Sequence, residues 1–394
     1  MLELIIKSKE NKKQIALVED EILTEYYEEE ENSSRNEGNI YIGTAKDILK
    51  GMQAAFINIG TERNGFIHLK DILPKIDEAK QENNIKEKIE DVIKLNERLL
   101  VQVKKDSNEK KGARISTHIN LPSKYIVLMP NTEIITISQK IQDEKEQERL
   151  KEIVKENLTP GNGAIIRTSA IGKKEELIED IKYIEEKWKK IVDKFEEQKE
   201  KGPSLLHKSE DIVEKILLDL TDKKVEKITV NDTEEYKKLQ EIKKSNKEYL
   251  NIKIEVKNEE SILDIYQLEK QIEKSKNRKI WLKCGGFITI DKTEALTAID
   301  VNTGKYTGTN DVEETIFRVN KEATIEIAKQ LRLRDIGGII IIDYIDMHEE
   351  NHKEEIQTLL QEELKKDRSK TQIEGFTNLD LMELTRKHIC SHKE

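Results

Sequence analysis

Leu296-Thr297-Ala298-Ile299-Asp300-Val301-Asn302 and Ile339-Ile340-Ile341-Ile342-Asp343 are two apolar runs, each with an aspartate near its end. Both read as strands, rich in β-branched residues and bounded by turn residues. Between them Ile316, Ala323, Ile327 and Leu331 recur at helical spacing, and Arg332, Arg334 and Gly337-Gly338 mark the helix end. Asp311 stands at the expected helix start, with Glu314 as a capping-box analogue. Strand, helix, strand predicts a parallel pair with both acids at the carboxyl ends, where such sheets place their ligands. The second run is apolar at successive positions, which predicts a strand buried on both faces. Upstream, Asp291–Glu294 predicts a hairpin turn joining Phe287–Ile290 to Leu296–Val301.

Two carboxylates meeting there suit Mg²⁺, which prefers oxygen ligands and serves phosphate chemistry. Asn302 can hold an attacking water or a phosphate oxygen, and Thr303, Lys305 and Asp346 lie close in sequence. Without a cation, two carboxylates within about 4–6 Å push one pKa upward. The alternative is that each aspartate caps a strand or meets an arginine.

The 394 residues allow roughly two to four domains. The chain is 38% charged and 5% aromatic, with a net charge of −10. That balance does not advertise a nucleic-acid partner, although basic stripes can form locally. Cys284 and Cys390 form neither a disulfide framework nor a CxxC zinc pattern, which suits a reducing cytoplasm. The opening Met1–Glu10 is no signal peptide. No apolar run nears the roughly 20 residues of a membrane span. A soluble cytoplasmic protein is expected. The histidines show no metal spacing; His348 and His352 are expected on the surface, and Cys284, beside Gly285-Gly286, in inert packing.

Outward from the acids, Leu2–Ile6 and Gln14–Val18 read as strands without local partners. Lys227–Val230 and Asn251–Val256 are the obvious candidates to pair with them, which makes everything between an insertion. From Asn39 to Asn120 five short strands predict a small barrel of the OB type: Asn39–Ile42, Ala54–Ile59, Gly65–His68, Leu99–Lys104 and Arg114–Ile119. Tyr41, Phe56 and Phe66 fall on them, and Lys104, Lys105, Lys110 and Lys111 cluster at the last turn. Rings with basic side chains suit single-strand binding; the alternative is that the rings fill the barrel core. Strands and charged helices alternate from 121 to 210, including a helix over Lys173–Glu200. Arg167 and Thr168 can hold a phosphate or serve structure alone.

Several long ordered motifs resemble the bacterial ribonuclease E/G family: Thr293–Lys305, Ala328–Met347, Lys366–Lys370 and Met382–Lys387. Ala54–Gly60, Arg63–Phe66, Ile126–Pro130 and Ile166–Thr168 extend the resemblance over nearly the whole chain. It implies a Mg²⁺-dependent endoribonuclease acting on single-stranded RNA. The acids matching Asp300 and Asp343 hold the metal, and the asparagine matching Asn302 assists the attacking water. Phe56, Phe66, Lys105 and Lys111 match RNA-binding positions on the barrel. Val127, Arg167, Thr168 and Lys370 match a pocket that senses a 5′-monophosphate. The implied fold is α+β and multidomain. An RNase H-like part (1–35 and 211–277) is split by an OB-fold domain (36–119) and a 5′-sensor domain (120–210). A deoxyribonuclease-I-like catalytic domain follows (278–394). The family pattern continues past its Thr-Arg-Lys motif to a CPxC zinc link and a small domain. Here Cys390 stands alone after Lys387, which puts the zinc-linked dimer that the resemblance implies in doubt and leaves a homodimer open. The same departure leaves a second reading, a catalytically weak or inactive RNA-binding protein on the same scaffold.

Overall fold

The structure is a computed structural model. It describes residues 1–9, 12–30, 36–72, 88–107, 111–220, 225–245, 249, 251–257, 262–304 and 312–389. Lys110, Lys305, Asp311 and Cys390 lie outside the described residues.

Strands β1 (Leu2–Lys9), β2 (Lys12–Glu19) and β3 (Ile22–Glu30) open the chain. Then come β4 (Ile40–Leu49), β5 (Ala54–Asn58), β6 (Gly65–His68), β7 (Arg98–Lys105) and β8 (Arg114–Ser116). β9 (Leu121–Pro122), β10 (Ile126–Pro130), β11 (Ile135–Ile137), helix α1 (Glu144–Asn157), β12 (Asn162–Ile166), helix α2 (Glu175–Gln198), β13 (Ser204–His207) and helix α3 (Ile212–Asp219) follow. Next are β14 (Lys227–Val230), α4 (Thr233–Ser245), β15 (Lys253–Val256), α5 (Leu268–Ser275), β16 (Lys279–Trp281), β17 (Phe287–Lys292) and β18 (Leu296–Asn302). The last are α6 (Val312–Leu333), β19 (Gly338–Asp343), α7 (Glu350–Lys365), β20 (Thr371–Phe376) and β21 (Leu381–Arg386). Among the described residues no helix is long and apolar enough to cross a membrane.

The chain divides into two compact units: Met1–Ser33 with Lys223–Glu394, and Ser34–Asp222 between them. In the inserted unit, β4-β5-β6-β8-β7 closes into a barrel through a β4–β7 pairing. All five strands expected between Asn39 and Asn120 are there. Ile57, Ile67, Val101, Val103 and Ile115 point inward and are fully buried, and Tyr41 joins them in the core. β11-β12-β10-β9 form a second sheet. Leu177, Ile181 and Ile184 of α2, and Leu150 and Val154 of α1, bury their apolar stripes against it.

The other unit holds two sheets. In the first, β15-β14-β1-β2-β3, β1 runs parallel to β14 with Glu3 opposite Lys227 and Ile6 opposite Val230. β1 thus finds one partner beyond the insertion, while β2 pairs locally with β1 and β3, so the opening strands do have local partners as well. The second sheet runs β16-β17-β18-β19-β21-β20. Among the described residues only β18 and β19 in it are parallel, and α6 is their crossover. Ala323, Ile327 and Leu331 of α6, with Ile356 and Leu360 of α7, cover one face of this sheet. Each fully buried Ile or Leu contributes roughly 1.5–3 kcal/mol. The opposite face is open, and Ile339 is 51% exposed. The expectation that β19 is buried on both faces is therefore wrong. Helices cover one face only, so its isoleucines split between core and surface.

Candidate functional site

Parallel register sets Asp300 directly opposite Asp343 on the open face, across neighbouring strands about 4.8 Å apart. Asn302, on the same side of β18, donates from Nδ2 to Asp300 Oδ2 at 2.5 Å. Thr289 of β17, opposite Asp300, donates to the same oxygen at 3.5 Å. Partial burial, then the charges of Asp300 and Asp346, hold the Asp343 carboxyl above its ordinary range. Among the described residues no cluster of three or more His, Cys, Asp or Glu forms a metal-holding group. The pair stands as two carboxylates with an amide beside them.

Both acids are held from behind. Asn320 of α6 is fully buried. Its Nδ2 donates to the Ile345 carbonyl at 2.8 Å, and its Oδ1 accepts from the Ile345 N–H at 3.2 Å. One turn on, Thr324 meets the Tyr344 hydroxyl at 2.9 Å. The loop leaving Asp343 is thus fixed to α6. At the other acid, the turn Leu282–Gly286 lies against the end of β18. A Cβ on Gly286 would come within 2.8 Å of the Asn302 carbonyl oxygen. One on Gly304, at φ +63°, would come within 2.5 Å of the Gly285 carbonyl oxygen. These glycines serve close backbone approach and a left-handed turn. Glu322 caps the same turn, accepting from the Lys283 and Cys284 N–H groups. Burial pushes the Cys284 thiol up, in line with inert packing.

Sequence reading missed Asn320, Thr324 and Glu322. The available signal was two polar residues one turn apart inside an apolar helical stripe, where polar groups need a partner. His352 needs correction as well. Its ring stacks on Phe317 at 4.0 Å and 8°, and its Nδ1 lies 3.1 Å from Glu313 Oε1. A flat imidazole packs its face on a ring and turns a polar edge to an acid, so the side chain is largely covered. His348 is exposed, as expected.

On the barrel, Phe56 and Phe66 are opposite one another, with centroids 5.8 Å apart. They alternate with inward Ile57 and Ile67 and stand half-buried on the outside. Of the three rings, only Tyr41 belongs to the core. Lys105 and Lys111 are exposed. Lys105, with Lys104, Arg114, His118 and Asp71, lines a cleft of about 460 Å³. Burial, then the charge of Lys104, lowers the His118 pKa.

Val127 stands half-buried on β10, opposite Ile165, one residue from where β12 gives way to Arg167. The Arg167 guanidinium donates from Nη1 to the Ser123 carbonyl at 2.8 Å and from Nη2 to Asp219. Thr168 opens a short 3-10 turn. Asp180 of α2 accepts from Ser123 Oγ at 2.5 Å and the Tyr125 N–H at 2.9 Å. Its burial pushes its carboxyl up to about 6. Lys370 is exposed, just ahead of β20 in the other unit.

Residues 120–389 match the model of the Ribonuclease E/G family. The chain belongs to that family. It is 38% identical over 395 residues to Ribonuclease G of Salmonella typhimurium (strain SL1344), covering 98% of this chain and 79% of that relative. The identity to Ribonuclease G of Escherichia coli (strain K12) is likewise 38%, over 394 residues. Ribonuclease E of Nostoc sp. (strain PCC 7120 / SAG 25.82 / UTEX 2576) is 35% identical over 365 residues, 89% of this chain and 51% of that protein.

Proposed function

We infer that this chain is a single-strand-specific endoribonuclease of the E/G type. It hydrolyses RNA phosphodiesters to leave 5′-phosphate and 3′-hydroxyl ends, in cytoplasmic RNA processing and decay. The observation that carries this reading is the register of Asp300 against Asp343 on an open sheet face, in a chain of that family. Two adjacent carboxylates are a hard oxygen donor set, and Mg²⁺ takes one or two carboxylates with water and phosphate oxygens for the rest. The residues present therefore fit Mg²⁺, with Asp300 and Asp343 as its protein ligands. When bound, the ion supplies a Lewis acid and eases the ionisation of water. Asn302, already hydrogen-bonded to Asp300, orients the attacking water. Asn320 and Thr324 keep Asp343 in place from behind.

In the same proposal, Phe56 and Phe66 stack RNA bases while Lys105 and Lys111 meet its phosphates. Val127, Arg167, Thr168 and Lys370 sense a 5′-monophosphate. A 5′-phosphate would compete with Asp219 for the Arg167 guanidinium, a switch that needs no new donor. The barrel takes the OB role and residues 120–210 the sensor role. Segments 1–35 and 211–277 make the RNase H-like part, and 278–394 the deoxyribonuclease-I-like catalytic domain.

The test is a fluorogenic single-stranded oligoribonucleotide with and without Mg²⁺. Asp300→Asn is expected to abolish cleavage while single-strand RNA binding stays within about threefold, since the rings and lysines of the barrel are untouched. Cleavage at the wild-type rate by that variant, or cleavage indifferent to chelator, would overturn the metal assignment. The second reading, an inactive RNA-binding scaffold, is not favoured: both acids and their supports are in place, and the relatives are named ribonucleases.

A further inference from the structure

Beside the two acids the open face carries a pair of rings. Trp281 on β16 is opposite Phe287 on β17, and Phe287 is opposite Asn302 on β18. Directly opposed residues point to the same side of a sheet. Trp281, Phe287 and Asn302 therefore form one row, stepping roughly 5 Å per strand. The next row is Lys279, Thr289, Asp300 and Asp343. The rings of Trp281 and Phe287 meet edge to face, with centroids 5.3 Å apart at 61°. Lys279 Nζ lies 4.2 Å from the Trp281 centroid and 3.4 Å from that of Phe287. Trp281 nevertheless remains 59% exposed. A tryptophan ordinarily buries most of its surface, and on this three-residue edge strand core packing does not account for it.

We propose that Trp281, with Phe287 and Lys279, is the stacking subsite for a nucleobase that flanks the scissile phosphodiester of single-stranded RNA. This rests on the reading of Asp300 and Asp343 as the hydrolytic centre and adds the residue that positions the strand there. A phosphodiester seated over the acids leaves its neighbouring nucleotide to lie across the adjoining row, where the rings are. Every base has a π-face, so such a platform accepts a strand whatever its sequence. A base paired in a duplex keeps both faces stacked, which ties the subsite to single strands. Asp300, Asp343 and Asp346 repel phosphate. Lys279, kept beside the rings by its attraction to their faces, places a positive charge next to that acidic row.

The test compares Trp281→Ala and Trp281→Phe on single-stranded oligoribonucleotides, each carrying one abasic nucleotide at a different distance from the cut. Trp281→Ala is expected to raise KM roughly tenfold while changing kcat less than about twofold, and Trp281→Phe to restore most of the loss. At one position near the cut, the abasic nucleotide should weaken the wild type by a similar factor and weaken Trp281→Ala no further, because both remove the same contact. A direct signal is also accessible. The chain has two tryptophans, and Trp188 packs against a core. In a Trp188→Phe background, RNA binding should therefore quench Trp281 emission, in Asp300→Asn as well. An unchanged KM for Trp281→Ala, additive losses at every abasic position, or emission indifferent to RNA would each overturn the subsite. The cleavage assay on Asp300→Asn reads the hydrolytic centre separately, whichever way Trp281 falls.

Discussion

Asp343 shows at the scale of one residue what setting two carboxylates opposite one another costs. Its carboxyl is held above its ordinary range by partial burial and by the facing Asp300. A raised carboxyl favours its protonated form in the folded protein. The contribution to stability is then full below the unfolded pKa near 3.9 and is lost as pH rises through the folded value. Asparagine mimics the protonated acid. In chelator at pH 7, Asp343→Asn is expected to melt at or slightly above the wild type, with the gap closing below about pH 4. In Mg²⁺ its cleavage rate should fall by more than about a hundredfold, since even partners one step behind a metal ligand are worth 10–100-fold. Thermal melts across pH beside the cleavage assay check both. A neutral-pH melt well below the wild type would make the carboxylate structural. The opposition of the two acids was legible in the sequence, because an apolar strand, a helix and a second apolar strand leave little but a parallel pair. Trp281 was not: its strand has three residues, too few to show alternation. Nor was the Arg167–Asp219 pair, whose partners lie 52 residues apart.

At the scale of elements, punctuation decided what could be read. The barrel strands were visible because turn residues separate short β-branched runs, and the β17–β18 hairpin because a polar turn sits between apolar ends. β3, with the sequence Ile22-Leu-Thr-Glu-Tyr-Tyr-Glu-Glu-Glu30, was missed, since its acids hide the alternation. β20 and β21, six residues each, were not read as strands, while α1 falls among the charged helices expected between 121 and 210. The hairpin before β10 yields a prediction. Asp180 of α2 pins Ser123 and Tyr125, and the Ser123 carbonyl in turn receives Arg167. Removing Asp180 leaves a hydroxyl and an N–H unpartnered at a buried site, a loss of roughly 1–3 kcal/mol for each group. Asp180→Ala should therefore lower the melting temperature and blur any preference for 5′-monophosphate over 5′-hydroxyl RNA. Arg167→Ala should erase that preference with a smaller effect on melting. Paired melts and cleavage rates on the two RNA ends check this, and an unchanged preference in Arg167→Ala would refute the sensor.

At the scale of the whole molecule, the insertion was legible because the strands Lys227–Val230 and Asn251–Val256 needed a partner, and the opening strands were the obvious ones to supply it. The bond that ties the two segments flanking it was not, being made by a residue inside a motif that carries the family resemblance. Arg368, inside the Lys366–Lys370 motif, is spent on Glu25 and Tyr27 of β3. Arg386 is buried between Asp335 and Asp367. Severing such a buried pair costs roughly 3–5 kcal/mol, which is reason enough for an arginine at each place. The inserted unit is tied off at its own ends. The Ser209 N–H donates to Asn39 Oδ1 at 2.8 Å, Ser209 Oγ donates to the Glu37 carbonyl at 2.9 Å, and β13 pairs with β4. Chain ends that meet are what allow a unit to be inserted, and equally to be excised. Residues 34–222 expressed alone are therefore expected to melt cooperatively and to bind single-stranded RNA. Their affinity should fall with salt at a log–log slope of about −0.7 for each phosphate engaged. They should not cleave, because Asp300 and Asp343 belong to the other unit. Calorimetry, a salt titration of binding and the fluorogenic assay make the comparison. Binding confined to the full chain would mean that the barrel's rings and lysines do not grip RNA by themselves, and would move recognition to the open face around Asp300.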